Sequence, residues 1–76
     1  MQEDNTAAKA IGQTLQRLRK AKGMTGAETA EKAGIRPSTL NAIEEGRYNT
    51  GIRQIADIAQ ALSAHVAIVP DEPPQA

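Results

Sequence analysis

The sequence predicts an all-α domain of four short helices followed by a short C-terminal β-strand, and three observations carry that prediction. Ala, Leu, Gln, Glu, Lys and Arg dominate residues 6–62, while aromatic and β-branched residues other than Ile are sparse, a composition that favours helix over sheet. Apolar residues recur at helical spacing in separate segments, each closed by a glycine or a polar turn. Finally, 76 residues are enough for one domain and too few for a second independent core.

The first helix is expected from Thr6 to Lys22. Ile11, Leu15 and Leu18 recur at i, i+4 and i+7, Asn5 or Thr6 stands where a cap is needed, and Gly23 closes the pattern. Arg17, Arg19, Lys20 and Lys22 near its end complement the helix dipole. A second helix begins at the capping box Thr25-Gly26-Ala27-Glu28, with Met24 as a staple residue before it. Ala27, Ala30 and Ala33 share one face, Glu28 and Lys32 pair at i, i+4, and Gly34 stops the helix in a left-handed position. The third helix opens on Pro37, buries Leu40 and Ile43, and ends at Gly46. After the polar turn Arg47-Tyr48-Asn49-Thr50-Gly51, the fourth carries Ile52, Ile55, Ala59 and Leu62 at i, i+3, i+7 and i+10 with Ile58 beside them, and Asn49 or Thr50 is the expected cap. Val66-Ala67-Ile68-Val69 is apolar, rich in β-branched residues and bounded by Pro70, and reads as a strand. The expected organisation is thus a flexible N-terminus (1–5), a helical domain (6–64), a strand (65–70) and a disordered, Pro-rich acidic tail (71–76).

Composition narrows the function. No run approaches the ~20 apolar residues of a membrane span, and Met1-Gln-Glu-Asp-Asn is unlike a signal peptide, so a cytoplasmic protein without membrane contact is expected. One histidine, no cysteine and no phosphate-cradling glycine pattern leave little for catalysis, metal or cofactor binding, so no enzyme activity and no cofactor are expected. His65 reads as a solvated residue, Ser38 has no base beside it, and Tyr48 reads as a loop-packing residue. The formal net charge is zero, but all nine Lys and Arg lie between Lys9 and Arg53 with only Glu28, Glu31, Glu44 and Glu45 among them, which leaves that stretch at +5. A positive face on the folded middle suits a polyanion.

Two short helices around a tight turn at Gly34 have helix-turn-helix spacing, in which the second helix enters the DNA major groove. Ala30 is small enough for close helix approach, Ile35 fills the gap behind the turn, and Leu40 and Ile43 anchor the second helix. Pro37, Ser38, Asn41, Ala42 and Glu45 then lie along the opposite face and, with Arg36, are the predicted base contacts. Asn41 is suited to bidentate pairing with adenine. Thr39, Arg47, Asn49 and Thr50, with Arg17 or Lys9 from the first helix, are expected at the phosphates.

The stretch Ile11 to Leu62 resembles the phage repressor and Cro type of helix-turn-helix domain, the xenobiotic-response-element family. The resemblance rests on Ala30-x-x-x-Gly34-Ile35 in the turn, Ile43-Glu44-x-Gly46 after the third helix, and Ile58-Ala59-x-Ala61-Leu62 in the last. It implies a partly buried ion pair between Arg19 and Glu44, and a phosphate contact at the start of the second helix. That contact could come only from backbone N–H groups here, because Gly26 stands where the family often has Gln. Thr29 replaces a usual Leu, which weakens a core contact or lets the hydroxyl bond back to its helix. Arg36 replaces a common Ser cap. The implied function is a transcriptional regulator that binds double-stranded DNA and represses from an inverted-repeat operator as a homodimer. Small relatives also act as antitoxins that bind a toxin protein and repress their own operon, and a protein-interaction module without DNA binding is the alternative from a different class.

The core is thin: apart from Ala and Tyr48, its apolar residues are seven Ile, four Leu, two Val and two Met, with no cysteine to brace them. Oligomerisation is the expected reinforcement. Val66, Ala67, Ile68 and Val69 are apolar on both alternating faces and would form an unpaired edge in a monomer. No other segment reads as a strand, so the expected partner is the same segment of a second copy, antiparallel across a two-fold axis. The rival is a fifth helical turn packed on its own domain.

Overall fold

Helices α1 (Thr6–Ala21), α2 (Gly26–Ala33), α3 (Pro37–Glu44) and α4 (Ile52–Ala61) follow one another in the computed structural model, which describes residues 6–48 and 50–71. The expected flexible segment 1–5 with its cap Asn5, the loop residue Asn49 and tail residues 72–76 lie outside the described residues. α1 packs against α3, and α2 against both α3 and α4. The core forms where they meet, from Leu15, Ala30, Leu40, Ile43, Ile58 and Leu62, with Leu18, Met24, Ala33 and Ile35 around it. Ala30 is fully buried, and its small side chain lets α2 lie close to its neighbours.

Gly12 sets the α1–α3 contact. A Cβ at this position would stand 2.2 Å from the Ile43 carbonyl oxygen and 2.8 Å from that of Glu44, so only glycine lets α1 rest on the last turn of α3. Glycine inside a helix costs about 1 kcal/mol relative to Ala. The close approach offsets that cost.

Several expectations change. The stripe of α1 buries Leu15 and half-buries Leu18 but leaves Ile11 partly in solvent. On α4 the buried side is Ile58 and Ala59, continued by Leu62, while Ile52 in the first turn projects beyond the core. On α2, Ala30 is buried and Ala33 half-buried, whereas Ala27 is exposed. The N-cap of α4 is Gly51, not Asn49 or Thr50; the Thr50 hydroxyl, one residue too early to cap, donates to the Gln54 side-chain oxygen. The Thr29 hydroxyl is fully buried and has no hydrogen-bond partner among the described residues, so it does not bond back to its helix.

The predicted strand is also absent from the single chain: residues 64–70 carry no regular secondary structure, and Val66, Ala67, Ile68 and Val69 are exposed. A strand exists through its ladder of hydrogen bonds, and among the described residues there is no second strand to supply one. The rival fifth helical turn does not form either. α4 is closed by Ser63 in a left-handed conformation (φ 59°) and by Ala64, whose N–H donates to the Ala59 carbonyl at 2.8 Å. Among the described residues, no helix is long and apolar enough to cross a membrane.

Candidate nucleic-acid interface

The α2–turn–α3 unit is held by local chemistry at both ends of α2. At its start the Thr25 hydroxyl accepts from the Glu28 N–H (3.0 Å), and the Glu28 carboxylate accepts from the Thr25 N–H (2.9 Å), a reciprocal capping box. Capping this way still leaves the first N–H groups of α2, at Gly26 and Ala27, without partners inside the helix. At its end Gly34 adopts φ 75°, a left-handed conformation that residues with a Cβ avoid, and the Ile35 N–H closes on the Ala30 carbonyl at 3.0 Å. Half-buried Ile35 then packs against the core. The chain re-enters helix at Pro37, whose fixed φ suits a first helical position, and Arg36 occupies the N-cap without a side-chain hydrogen bond.

α3 has two distinct sides. Leu40, Ile43 and Glu44 are buried, whereas Pro37, Ser38, Asn41 and Glu45, together with Arg36 before them, are exposed. Ala42 and Thr39 are half-buried at the boundary.

Glu44 is a carboxylate in the last turn of a helix, a position the helix dipole disfavours, and its side chain is 3% exposed. The compensation comes from α1. Arg19 donates from Nε to Oε2 of Glu44 at 2.7 Å and from Nη2 to Oε1 at 2.9 Å, and its Nη1 donates to the Met24 carbonyl at 3.0 Å. This bidentate bond raises the Arg19 pKa above its ordinary value, against the opposing pull of burial. On the guanidinium side, the stabilisation is therefore complete below the ordinary arginine range and is lost only as pH rises past the raised value. One side chain thus joins α1, the α1–α2 turn and the C-terminal end of α3.

Beyond α3, Arg47 Nε donates to Glu45 Oε1 at 2.6 Å, both side chains standing largely in solvent. This pair was not anticipated; the i, i+2 spacing in a polar turn gives no signal of it. Of the other residues expected at the DNA backbone, Arg17 is exposed, Gly26 is half-buried at the start of α2, and Thr50 is half-buried and bonded to Gln54. Asn49 lies outside the described residues. Among those described, no group of acidic and histidine side chains could hold a metal ion.

Comparison with known proteins agrees with this geometry. A family model described as Helix-turn-helix matches residues 15–67. An HTH-type transcriptional regulator of Sinorhizobium fredii, y4dJ, is 36% identical over 62 residues, 80% of this chain and 80% of the relative. The immunity repressor protein of Bacillus phage phi105 is 34% identical over 62 residues, 82% of this chain but 43% of the repressor. Among solved structures, the clp gene regulator ClgR of Corynebacterium glutamicum superposes with a TM-score of 0.76 at 34% identity, covering 78% of this chain and 76% of that one. The restriction-modification controller protein C.AhdI of Aeromonas hydrophila gives 0.75 at 30% identity, covering 79% and 91%. The match spans the turn, α3 and α4, and with these relatives it establishes that the chain belongs to the helix-turn-helix family of transcriptional regulators, of the phage repressor and Cro type.

Proposed function

We propose that this protein is a sequence-specific DNA-binding repressor that occupies an inverted-repeat operator as a homodimer and reads the major groove with α3. The observation that carries this reading is the division of α3. Its buried residues, Leu40, Ile43 and the Arg19-bound Glu44, fasten the helix to the domain, while Arg36, Ser38 and Asn41 project from the other side. A helix held rigidly with hydrogen-bonding side chains outward fits a groove whose base edges carry a donor and acceptor code.

The roles divide by chemistry. Asn41 pairs with an adenine edge, Arg36 with a guanine edge, and Ser38 with either, while Pro37 and Ala42 offer apolar contact to thymine methyl groups. Glu45 holds Arg47 in the free protein and accepts from a cytosine amino group in the complex. Arg47 then turns to a phosphate, joined by Arg17, Thr39, Thr50, the loop residue Asn49 and the first N–H groups of α2, at Gly26 and Ala27. The Arg19–Glu44 pair sets the pose of α3. Two copies joined through Val66, Ala67, Ile68 and Val69 would set their reading helices about 34 Å apart, one turn of DNA. The likeness to a phage immunity repressor favours repression.

Titration of binding against salt tests the division of roles. Wild type should lose affinity linearly on logarithmic axes, with a slope of about −0.9 per phosphate contact. Arg47→Ala should weaken specific and nonspecific DNA by similar factors and reduce the slope by about one. If Arg47→Ala shifts sequence preference instead, Arg47 belongs among the base readers.

A further inference from the structure

The segment that leaves α4 runs along a groove between α1 and α4. Ile11, Leu18, Ile52 and Ile55 line it from the helices, Ala64 to Ile68 form its edge, and no Asp, Glu, Lys or Arg lines it among the described residues. Two sets of apolar side chains remain uncovered there. On the helices, Ile11 is 40% and Ile52 65% exposed; on the segment, Val66 is 42%, Val69 77% and Ile68 96% exposed. Water contact at so many branched side chains in one place is unusual for a small domain with a thin core. The root of the segment is fixed by the Ala64 bond to Ala59 and the left-handed Ser63, yet the Ile68 side chain does not enter the groove that its own segment borders.

We infer that this groove is the seat for Ile68 of a second copy, so that each protomer's segment completes the other's core. The inference rests on the dimer proposed above and adds the surface that receives the paired strands. In an extended segment Val66 and Ile68 share one face, and Ala67 and Val69 the other. Antiparallel pairing about a two-fold axis at Ala67 sets Val66 opposite the partner's Ile68, with side chains of the opposed pair about 5 Å apart. Val66 already lines the groove, so the residue opposite it comes to lie over the same groove.

A second copy is the occupant because it alone carries both surfaces. One two-fold contact covers groove and segment on both protomers and closes on itself. A partner lacking such a segment would fill the groove and leave Ile68 in water. The segments Met1-Gln-Glu-Asp-Asn and Glu72-Pro-Pro-Gln-Ala are mainly polar, with Met1 the one large apolar side chain between them, a composition poorly matched to an apolar groove.

Sedimentation equilibrium on the full chain, in the absence of DNA, tests the inference apart from any question of operator binding. Wild type should dimerise. Ile68→Asp and Ile52→Glu, both at exposed positions, should each weaken the dimer about tenfold or more, while Val69→Asp, whose backbone pairs but whose side chain stands on the outer face, should weaken it clearly less than Ile68→Asp. Circular dichroism should show the same helix content in all variants. The protein has no cysteine, so the double variant Val66→Cys, Ile68→Cys adds a covalent readout. Two residues apart on a strand, the cysteines of one chain stand about 6.8 Å apart at Cα, at the limit for bonding each other, and oxidation should give a covalent dimer. Ile52→Glu that dimerises like wild type overturns the groove seat and leaves strand pairing standing. Val69→Asp as disruptive as Ile68→Asp overturns the register. A monomeric wild type overturns the proposed dimer and this inference with it.

Discussion

Asn41 and Thr29 sit on neighbouring helices with opposite problems. Asn41 is exposed with its amide free to meet a base. Thr29 is fully buried with a hydroxyl that has no partner among the described residues. An unmade hydrogen bond in the interior costs about 1–3 kcal/mol, whereas replacing the hydroxyl with a methyl of similar size removes the penalty and keeps the packing. Thr29→Val should therefore stabilise the domain by about 1 kcal/mol, visible as a rise of roughly 4–8 °C in the calorimetric melting temperature. A fall would mean that the hydroxyl is satisfied in solution, by water for example. The identity of Thr29, at a place where the family resemblance implies Leu, was plain from the sequence, and so was its helix. Whether the hydroxyl turned outward, bonded back or stayed orphaned depends on what packs over it, which no local pattern encodes.

The same boundary between local and distant causes runs through the elements. The capping box, the left-handed turn at Gly34 and proline at the start of α3 are set by residues next to one another, so α2, the turn and α3 could be read directly. Gly12 could not, because its reason lies some thirty residues away, in the carbonyls of Ile43 and Glu44. A glycine interrupting an otherwise good helical pattern is itself the signal of a close approach. Its removal separates propensity from packing. Gly12→Ala should gain about 1 kcal/mol of helix propensity and lose more through the clash with the α3 carbonyls, typically 1–3 kcal/mol for overpacking against side chains and at the upper end against backbone. Chemical denaturation should show net destabilisation together with weaker DNA binding, since α3 has to move. An unchanged or raised midpoint would show that α1 does not rest on α3 in this way. The ends of α4 were harder to place: Thr50 bonds Gln54 rather than capping the helix, and Ile52 falls outside the core although it fits the periodicity. Periodicity reports which residues share a face and not how far a neighbouring element reaches along it.

For the whole molecule, net charge and fold pull in different directions until the distribution is considered. A neutral chain has little reason to approach DNA, yet nine basic residues against four acidic ones between Lys9 and Arg53 leave the helical domain positive. Part of that charge is committed elsewhere, Arg19 to buried Glu44 and Arg47 to Glu45. The segment 66–69 belongs to this scale as well. Its apolar, β-branched character was legible, but a strand is a property of a pair, and in one chain it stays exposed without regular secondary structure. Base reading by α3, with Asn41 among the readers, is measured by selection of wild type and Asn41→Ala from a randomised double-stranded DNA pool. Wild type should select an inverted repeat with half-sites about one DNA turn apart, and Asn41→Ala should lose preference at one base pair per half-site, a discrimination worth about 1–3 kcal/mol. An unenriched wild-type pool, or an Asn41→Ala pool with the wild-type preference intact, would contradict it.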